Sequence, residues 1–385
     1  MANLGQGSER ATGFLRTTAD IKHSIEWHAK FGFPLPIVAG HPDKPIFTRR
    51  HLEVALEEFK KIPSRGGTWK YQVLDMNGSM ANCSIKLAPL KKRERKSRNN
   101  REVTFISKPH VDYRPWVHVS KKYLELFDDK NNKTPIVFSK RPRVVDEECN
   151  CGWLSDTIQE ASEAWEDLPY HNALVSYLLE HSDEMEQVDQ IICFGHGPLC
   201  EFRSQVQHLA ASTIRRVLLA KHKMSSTGFE KEIKIYAQDP AYCNNCKTLL
   251  KKQYNIEVLD DHDGFLQLNK NSFVVSIAPD VPVRQIAVDM TFDEGGPAGM
   301  LCTKIRDESK EEVTMLDFAD PWSPRLEAYK KKCIVGNMNH VNSDADGSYY
   351  FGSTELYFKK RTTSSPSTGT GSSIENIAQL NLSAN

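Results

Sequence analysis

Gly195, His196 and Gly197 end an apolar run, Val188-Asp189-Gln190-Ile191-Ile192-Cys193-Phe194, and carboxylates follow downstream at Asp239, Asp260, Asp261 and Asp280. A Gly-x-Gly turn accepts positive φ and leaves no Cβ between the backbone and a ligand over a helix N-terminus, as a nucleotide-type site requires. Asp239 offers two acceptor oxygens, which suit the vicinal hydroxyls of a ribose. It also precedes Pro240, and Asp-Pro equally suits a helix N-cap followed by proline in the first turn. His196 between the glycines is expected at the exposed mouth of a crevice, as a general acid or base near neutral pH or as a plain turn residue facing solvent. Asp260 and Asp261 suit ligand contact and a strand-end turn alike. The dinucleotide fingerprint is incomplete: Cys200 stands where its third glycine belongs, and Asp239 lies about twice the roughly 20 residues away that the fingerprint asks. No serine elbow, Walker loop, His-Glu-x-x-His or calcium-loop motif occurs, so no catalytic residue is assigned.

These residues need a frame that holds them together. Apolar strand candidates at 188–194, 232–237, 256–260 and 272–278 alternate with helical patterns at 203–223 and 241–253. The β-α-β-α-β order predicts parallel strands with right-handed crossovers, and runs such as Phe273-Val274-Val275 suit a strand buried on both faces. Ligands of such sheets bind at the carboxyl ends of the strands, where strand order reverses. All seven named residues fall at those ends. Residues 283–290, 312–318 and 324–332 are read as helix, strand and helix, and Tyr349–Phe358 as a final strand at a sheet edge.

Upstream, residues 49–62 read as an amphipathic helix ending before Pro63, and 68–75 with 82–88 as a hairpin about Asn77-Gly78. Residues 127–150 read as a connector; two helices then follow, the first capped by Ser155 and carrying Ile158, Ala161 and Trp165. Residues 1–150 form an irregular α+β N-terminal extension. Residues 151–361 form a Rossmann-like α/β domain, a mostly parallel sheet flanked by helices with its core at 185–335. The Ser-, Thr- and Gly-rich stretch 362–385 is expected to be disordered, since it buries too little to offset its ordering entropy.

The 385 residues carry 50 basic and 50 acidic side chains, so no global field draws the chain to nucleic acid or anionic membrane. Lys91 to Arg101, with seven bases and one acid, suits an import signal or a phosphate-contacting loop; a solvated loop between strands is favoured over both. No apolar stretch approaches a membrane span, and no signal core opens the chain, which points to a cytoplasmic protein, in the nucleus as well if that run is an import signal. Cys149 with Cys151 and Cys243 with Cys246 could supply four zinc ligands. Their spacing and separation favour reduced thiols and no metal.

Cys193-Phe194-Gly195-His196-Gly197-Pro198, Gln207-His208-Leu209-Ala210, Tyr236-Ala237-Gln238-Asp239-Pro240, Leu259-Asp260-Asp261 and Ser276-Ile277-Ala278-Pro279-Asp280 occur in this order. As a set they resemble the sensitivity-to-red-light-reduced (SRR1-like) domain family in its fungal form, over roughly residues 185–335. The resemblance implies a Rossmann-like domain in regulatory proteins, linked to light and circadian signalling in plants and to stress or cytoskeletal phenotypes in yeast. It brings no established catalytic mechanism. Where members of the family often show Pro-His-Cys after the fourth strand, this chain has Ala278-Pro279-Asp280, so no role rests on that His or Cys. The expected function is a regulatory protein with protein partners and a crevice for a nucleotide-type ligand. An S-adenosylmethionine-dependent methyltransferase is the first alternative, an NAD(P)-dependent oxidoreductase the second, and nucleic-acid binding is disfavoured.

Overall fold

A computed structural model describes residues 44–63, 67–87, 93–96, 102–115, 133–144, 154–225, 232–306, 319–338, 341 and 350–361. The expected strand at 312–318 and the expected disordered stretch 362–385 lie outside the described residues, as do Cys149 and Cys151.

Among the described residues the centre of the molecule is a seven-stranded sheet. In chain order its strands are β6 (Gln190–Phe194), β7 (Lys234–Gln238), β8 (Ile256–Val258), β9 (Ser272–Ser276), β10 (Gly299–Thr303), β11 (Cys333–Asn337) and β12 (Thr354–Lys359). Across the sheet they run β8-β7-β6-β9-β10-β12-β11. The pairs from β8 to β10 are parallel, whereas β12 is antiparallel to both β10 and β11. From β6 the chain winds outward to β7 and β8, then returns across β6 to β9 and β10. This makes the gap between β6 and β9 the point of reversal, where a Rossmann-like sheet opens a crevice.

β6 and β9 are buried along their whole length, which explains their unbroken apolar sequences. The final strand corrects the sequence expectation: β12 lies inside the sheet, fully buried, and β11 forms that edge. β10 and β11 are strands that periodicity did not reveal. At Gly299 a Cβ would come within 2.6 Å of the Phe273 ring, so glycine there lets β10 close against β9.

Helices α2 (Leu154–Asp167), α3 (Pro169–His181), α4 (Phe202–Ser225) and α5 (Asn244–Tyr254) share one core with one face of the sheet. Ser155 lies inside α2, which starts at Leu154, and not at its cap. Tyr170 stacks on Phe351, ring centroids 3.9 Å apart, and its hydroxyl bonds Thr354 of β12. α6 (Asp263–Gln267), α7 (Val283–Met290) and α8 (Pro324–Lys330) border the other face.

The N-terminal elements join that second core. α1 (Arg49–Lys60) and the hairpin β1 (Gly67–Leu74) with β2 (Met80–Leu87) form as the residue pattern predicts. β3 (Arg93–Lys96), β4 (Glu102–Tyr113) and β5 (Ile136–Val144) make a three-stranded antiparallel sheet. The supposed connector 127–150 therefore contains a strand, and part of the basic run is a strand too. Phe47, Leu52, Tyr71, Val111, Tyr113 and Phe138 pack in one cluster with Phe194, Phe265 and Ile286. Buried Asp289 of α7 ties the segment down: it accepts the Ile46 and Phe47 N–H groups at 2.9 and 3.1 Å and pairs with Arg325.

Candidate functional site

Register brings the chemistry-bearing residues level. Phe194 lies opposite Gln238 and Ser276, so Gly195, Asp239 and Ile277 leave the sheet side by side. Gly195 and Gly197 adopt φ of +70° and +78°, the conformations for which glycine is suited. A Cβ at Gly195 would also stand 3.3 Å from Pro279, so this turn and the loop after β9 touch across the reversal point.

The turn spends its amides internally. Gly195 N–H donates to the Gln238 carbonyl at 3.2 Å, and Gly197 N–H to Asp239 Oδ2 at 2.7 Å. The other carboxylate oxygen of Asp239 accepts the Ala241 N–H, again at 2.7 Å. Asp239 is thus a clamp between the ends of β6 and β7. It is not a helix cap, because α5 starts only at Asn244 and is capped by Cys243. Burial raises its pKa, with Asp261 and Asp280 adding to the rise and the two N–H donors opposing it.

His196 corrects a second expectation. Its side chain is buried, only 4% exposed, with the ring edge-on to His208 at 4.9 Å. Burial first, then His208, holds its pKa well below the usual histidine value, so the ring is neutral near pH 7. Among the described residues no hydrogen bond of ordinary geometry reaches either ring nitrogen, although the Val275 backbone is near enough to raise the pKa somewhat. An exposed acid–base role is excluded for this arrangement.

Helix α4 holds the turn from below. Ser204 Oγ donates to the Gly197 carbonyl at 2.7 Å, and Gln205 Nε2 to the Leu199 carbonyl at 2.8 Å. His208 Nδ1 lies 2.6 Å from the Ser204 carbonyl, which only accepts, so that nitrogen carries the proton. Nε2 then accepts from the Tyr242 hydroxyl at 2.8 Å, and burial lowers the His208 pKa to about 4. Sequence reasoning missed Ser204, Gln205, His208 and Tyr242. For the first three the signal was a Ser-Gln-x-Gln-His run of polar residues in the first turns of an otherwise buried helix; Tyr242 lies in the loop before α5 and carried no such signal.

The remaining rim is acidic. Asp260 is exposed, with Lys247 Nζ 3.5 Å away, and Asp280 is exposed after β9. Asp261 is half-buried and close enough to Asp239 to raise its pKa. Next in sequence, His262 is buried at φ +79° and bonds the Tyr113 hydroxyl of β4 through Nδ1. Gly264 N–H donates to Gln238 Oε1 at 2.8 Å, where a Cβ at Gly264 would be 2.6 Å from the same oxygen. Ala278, which precedes Pro279, is held at φ +50°, its N–H reaching Thr303 Oγ1 at 3.3 Å. Non-glycine residues rarely take this conformation, least of all before proline, and such strain concentrates at binding sites. Among the described residues no group of three or more His, Cys, Asp or Glu is arranged for a metal ion.

This fold and rim define a Rossmann-like α/β protein whose acidic strand ends meet at the reversal point between β6 and β9. The chain belongs to the SRR1-domain family, whose SRR1 domain matches residues 157–358. No curated protein matches it. Among solved structures, the chain is similar to a phosphoethanolamine N-methyltransferase 2 from Haemonchus contortus in complex with phosphomonomethylethanolamine and S-adenosylhomocysteine. That likeness has 11% identity over 70% of this chain and 71% of the other, with a TM-score of 0.24. No helix among the described residues is long and apolar enough to cross a membrane.

Proposed function

We propose that the crevice between β6 and β9 binds an adenosyl-type ligand without a phosphate chain, S-adenosylmethionine first, in a protein whose role is regulatory and exercised through protein partners. One observation carries the choice of ligand class: the Gly195 and Gly197 amides, the groups that would cradle phosphate, are already taken by Gln238 and Asp239. The acidic rim of Asp239, Asp260, Asp261 and Asp280 acts in the same direction, since it repels a pyrophosphate and tolerates a sulfonium cation. This argues against NAD(P).

Methyl transfer is the second reading, favoured by the strand order. Seven strands with the last inserted antiparallel between the fifth and sixth form a sheet on which many S-adenosylmethionine-dependent methyltransferases are built. Fold analogy assigns no chemistry by itself. Methyl transfer asks mainly for proximity and orientation, so the lack of an acid–base pair does not oppose it.

Thermal denaturation of the full chain with S-adenosylhomocysteine, S-adenosylmethionine, NAD and NADP tests the reading. At ligand concentrations near 100 Kd the bound protein gains about 2.7 kcal/mol. Stabilisation by the adenosyl sulfur compounds and none by NAD or NADP is expected. No stabilisation by S-adenosylhomocysteine, or stabilisation by NAD, overturns the proposal.

A further inference from the structure

Cys243 and Cys246 occupy the N-terminus of α5, beside the crevice. Cys243 is the N-cap, and its Sγ accepts the Cys246 N–H at 3.4 Å. Positions i and i+3 at the start of a helix place their Cα atoms roughly 5 Å apart, within the span a disulfide bridges. After burial, the Cys243 thiol is among the groups that raise the Cys246 pKa, so the two side chains are neighbours. Access to them differs: Cys243 is half-buried and Cys246 is buried. Sulfur is a weak acceptor, and serine, threonine or aspartate caps a helix better, so capping alone is a poor reason for cysteine here.

We propose that Cys243 and Cys246 are a reversible dithiol–disulfide pair, with Cys243 the sulfur that exchanges with an external disulfide. A Cys-x-x-Cys at a helix start after a parallel strand has the arrangement of dithiol redox sites. With glutathione disulfide as oxidant, the Cys243 thiolate attacks one sulfur. A Cys243–glutathione bond forms and one glutathione thiolate leaves. The Cys246 thiolate then attacks Cys243 sulfur and releases the second glutathione. Two protein thiols are oxidised, one glutathione disulfide is reduced to two glutathiones, and the two protons pass to the leaving thiolates.

The location gives the bond a consequence. Cys246 Sγ accepts the Leu199 N–H at 3.4 Å, in the loop that continues the Gly195–Gly197 turn. Closing the disulfide turns that sulfur toward Cys243, so the modification acts on the rim of the crevice. Burial pushes the Cys246 thiol up to about 11, which suits the second, intramolecular attack better than the first.

The test is redox titration of the folded full chain in glutathione buffers, with rapid alkylation and mass spectrometry of the peptide spanning both cysteines. The expected product has lost two hydrogens, takes up no alkylating agent and returns to the dithiol in excess glutathione. Cys246→Ser should stop at a glutathione adduct on Cys243, Cys243→Ser should leave Cys246 unmodified, and Cys200→Ser should still close the bond. Serine is a better cap, so Cys243→Ser folds at least as stably as the natural chain. The proposal is overturned if both cysteines stay alkylatable at every ratio, if Cys200 supplies either sulfur, or if the adduct in the single variants falls on Cys246.

Discussion

Replacing Asp239 by alanine removes both acceptors that join the ends of β6 and β7. Each bond is 2.7 Å long and runs from a backbone N–H to a carboxylate. Hydrogen bonds to charged groups contribute about 1.5–3 kcal/mol each. Here Gly197 and Ala241 are half-exposed, so water recovers part of that loss, and repulsion from Asp261 and Asp280 is relieved. The net destabilisation expected is about 2 kcal/mol, a fall in Tm of roughly 4–8 °C for a unit of this size. Asp239→Asn keeps one acceptor oxygen and should cost about half as much. Asp239 also has a raised pKa, so the folded state holds its proton more tightly than the unfolded chain. The part of its contribution that is linked to this proton is therefore fully present below the ordinary carboxylate pKa and is lost as pH rises through the raised value, while the two N–H bonds to the carboxylate remain. The difference between natural chain and alanine variant should narrow across that window. Urea denaturation followed by tryptophan fluorescence, repeated from pH 4 to 8, measures both effects. A difference below about 0.5 kcal/mol at every pH would refute the clamp.

Three further outcomes follow from the same contacts. Tyr113→Phe leaves His262 Nδ1 buried without its hydroxyl partner and should cost about 1–3 kcal/mol in chemical denaturation, whereas an unchanged midpoint would mean that β4 is not tied to the β8 loop through this bond. Asp289→Ala takes the carboxylate away from buried Arg325 and from two backbone N–H groups, so a loss of about 3–5 kcal/mol and easier proteolysis near residues 44–63 are expected; retained stability would contradict the shared core. His208 and His262 are both lowered to about 4, and His196 well below the usual histidine value, so at these rings the unfolded chain binds more protons between pH 4 and 6.5. These rings should make stability rise with pH across that window, in opposition to Asp239, so His208→Gln and His262→Gln should each weaken that rise, and an unchanged profile in both would contradict the burial of these rings.

The alternation of strands and helices from Val188 to Ile277 was legible because buried parallel strands are short apolar runs and their crossover helices carry an apolar face. The same pattern placed Gly195, Gly197, Asp239, Asp260, Asp261 and Asp280 at the strand ends, where the structure has them. Legibility failed where pairing, not pattern, decides. β12 was read as an edge because it is last in sequence, yet it inserts between β10 and β11; β5 was hidden in a stretch rich in Lys, Arg and Pro whose register is set by β4.

By itself, the sequence determined the fold class, the glycine turn and the family, because these depend on residue type and order over short spans. Only the tertiary structure decided what the site residues do. His196 is buried against His208, and Asp239 is a clamp instead of a helix cap, because burial and hydrogen-bond partners come from segments tens of residues away. The glycine turn thus keeps its place at the strand ends, but its amides face inward and its neighbours are acids.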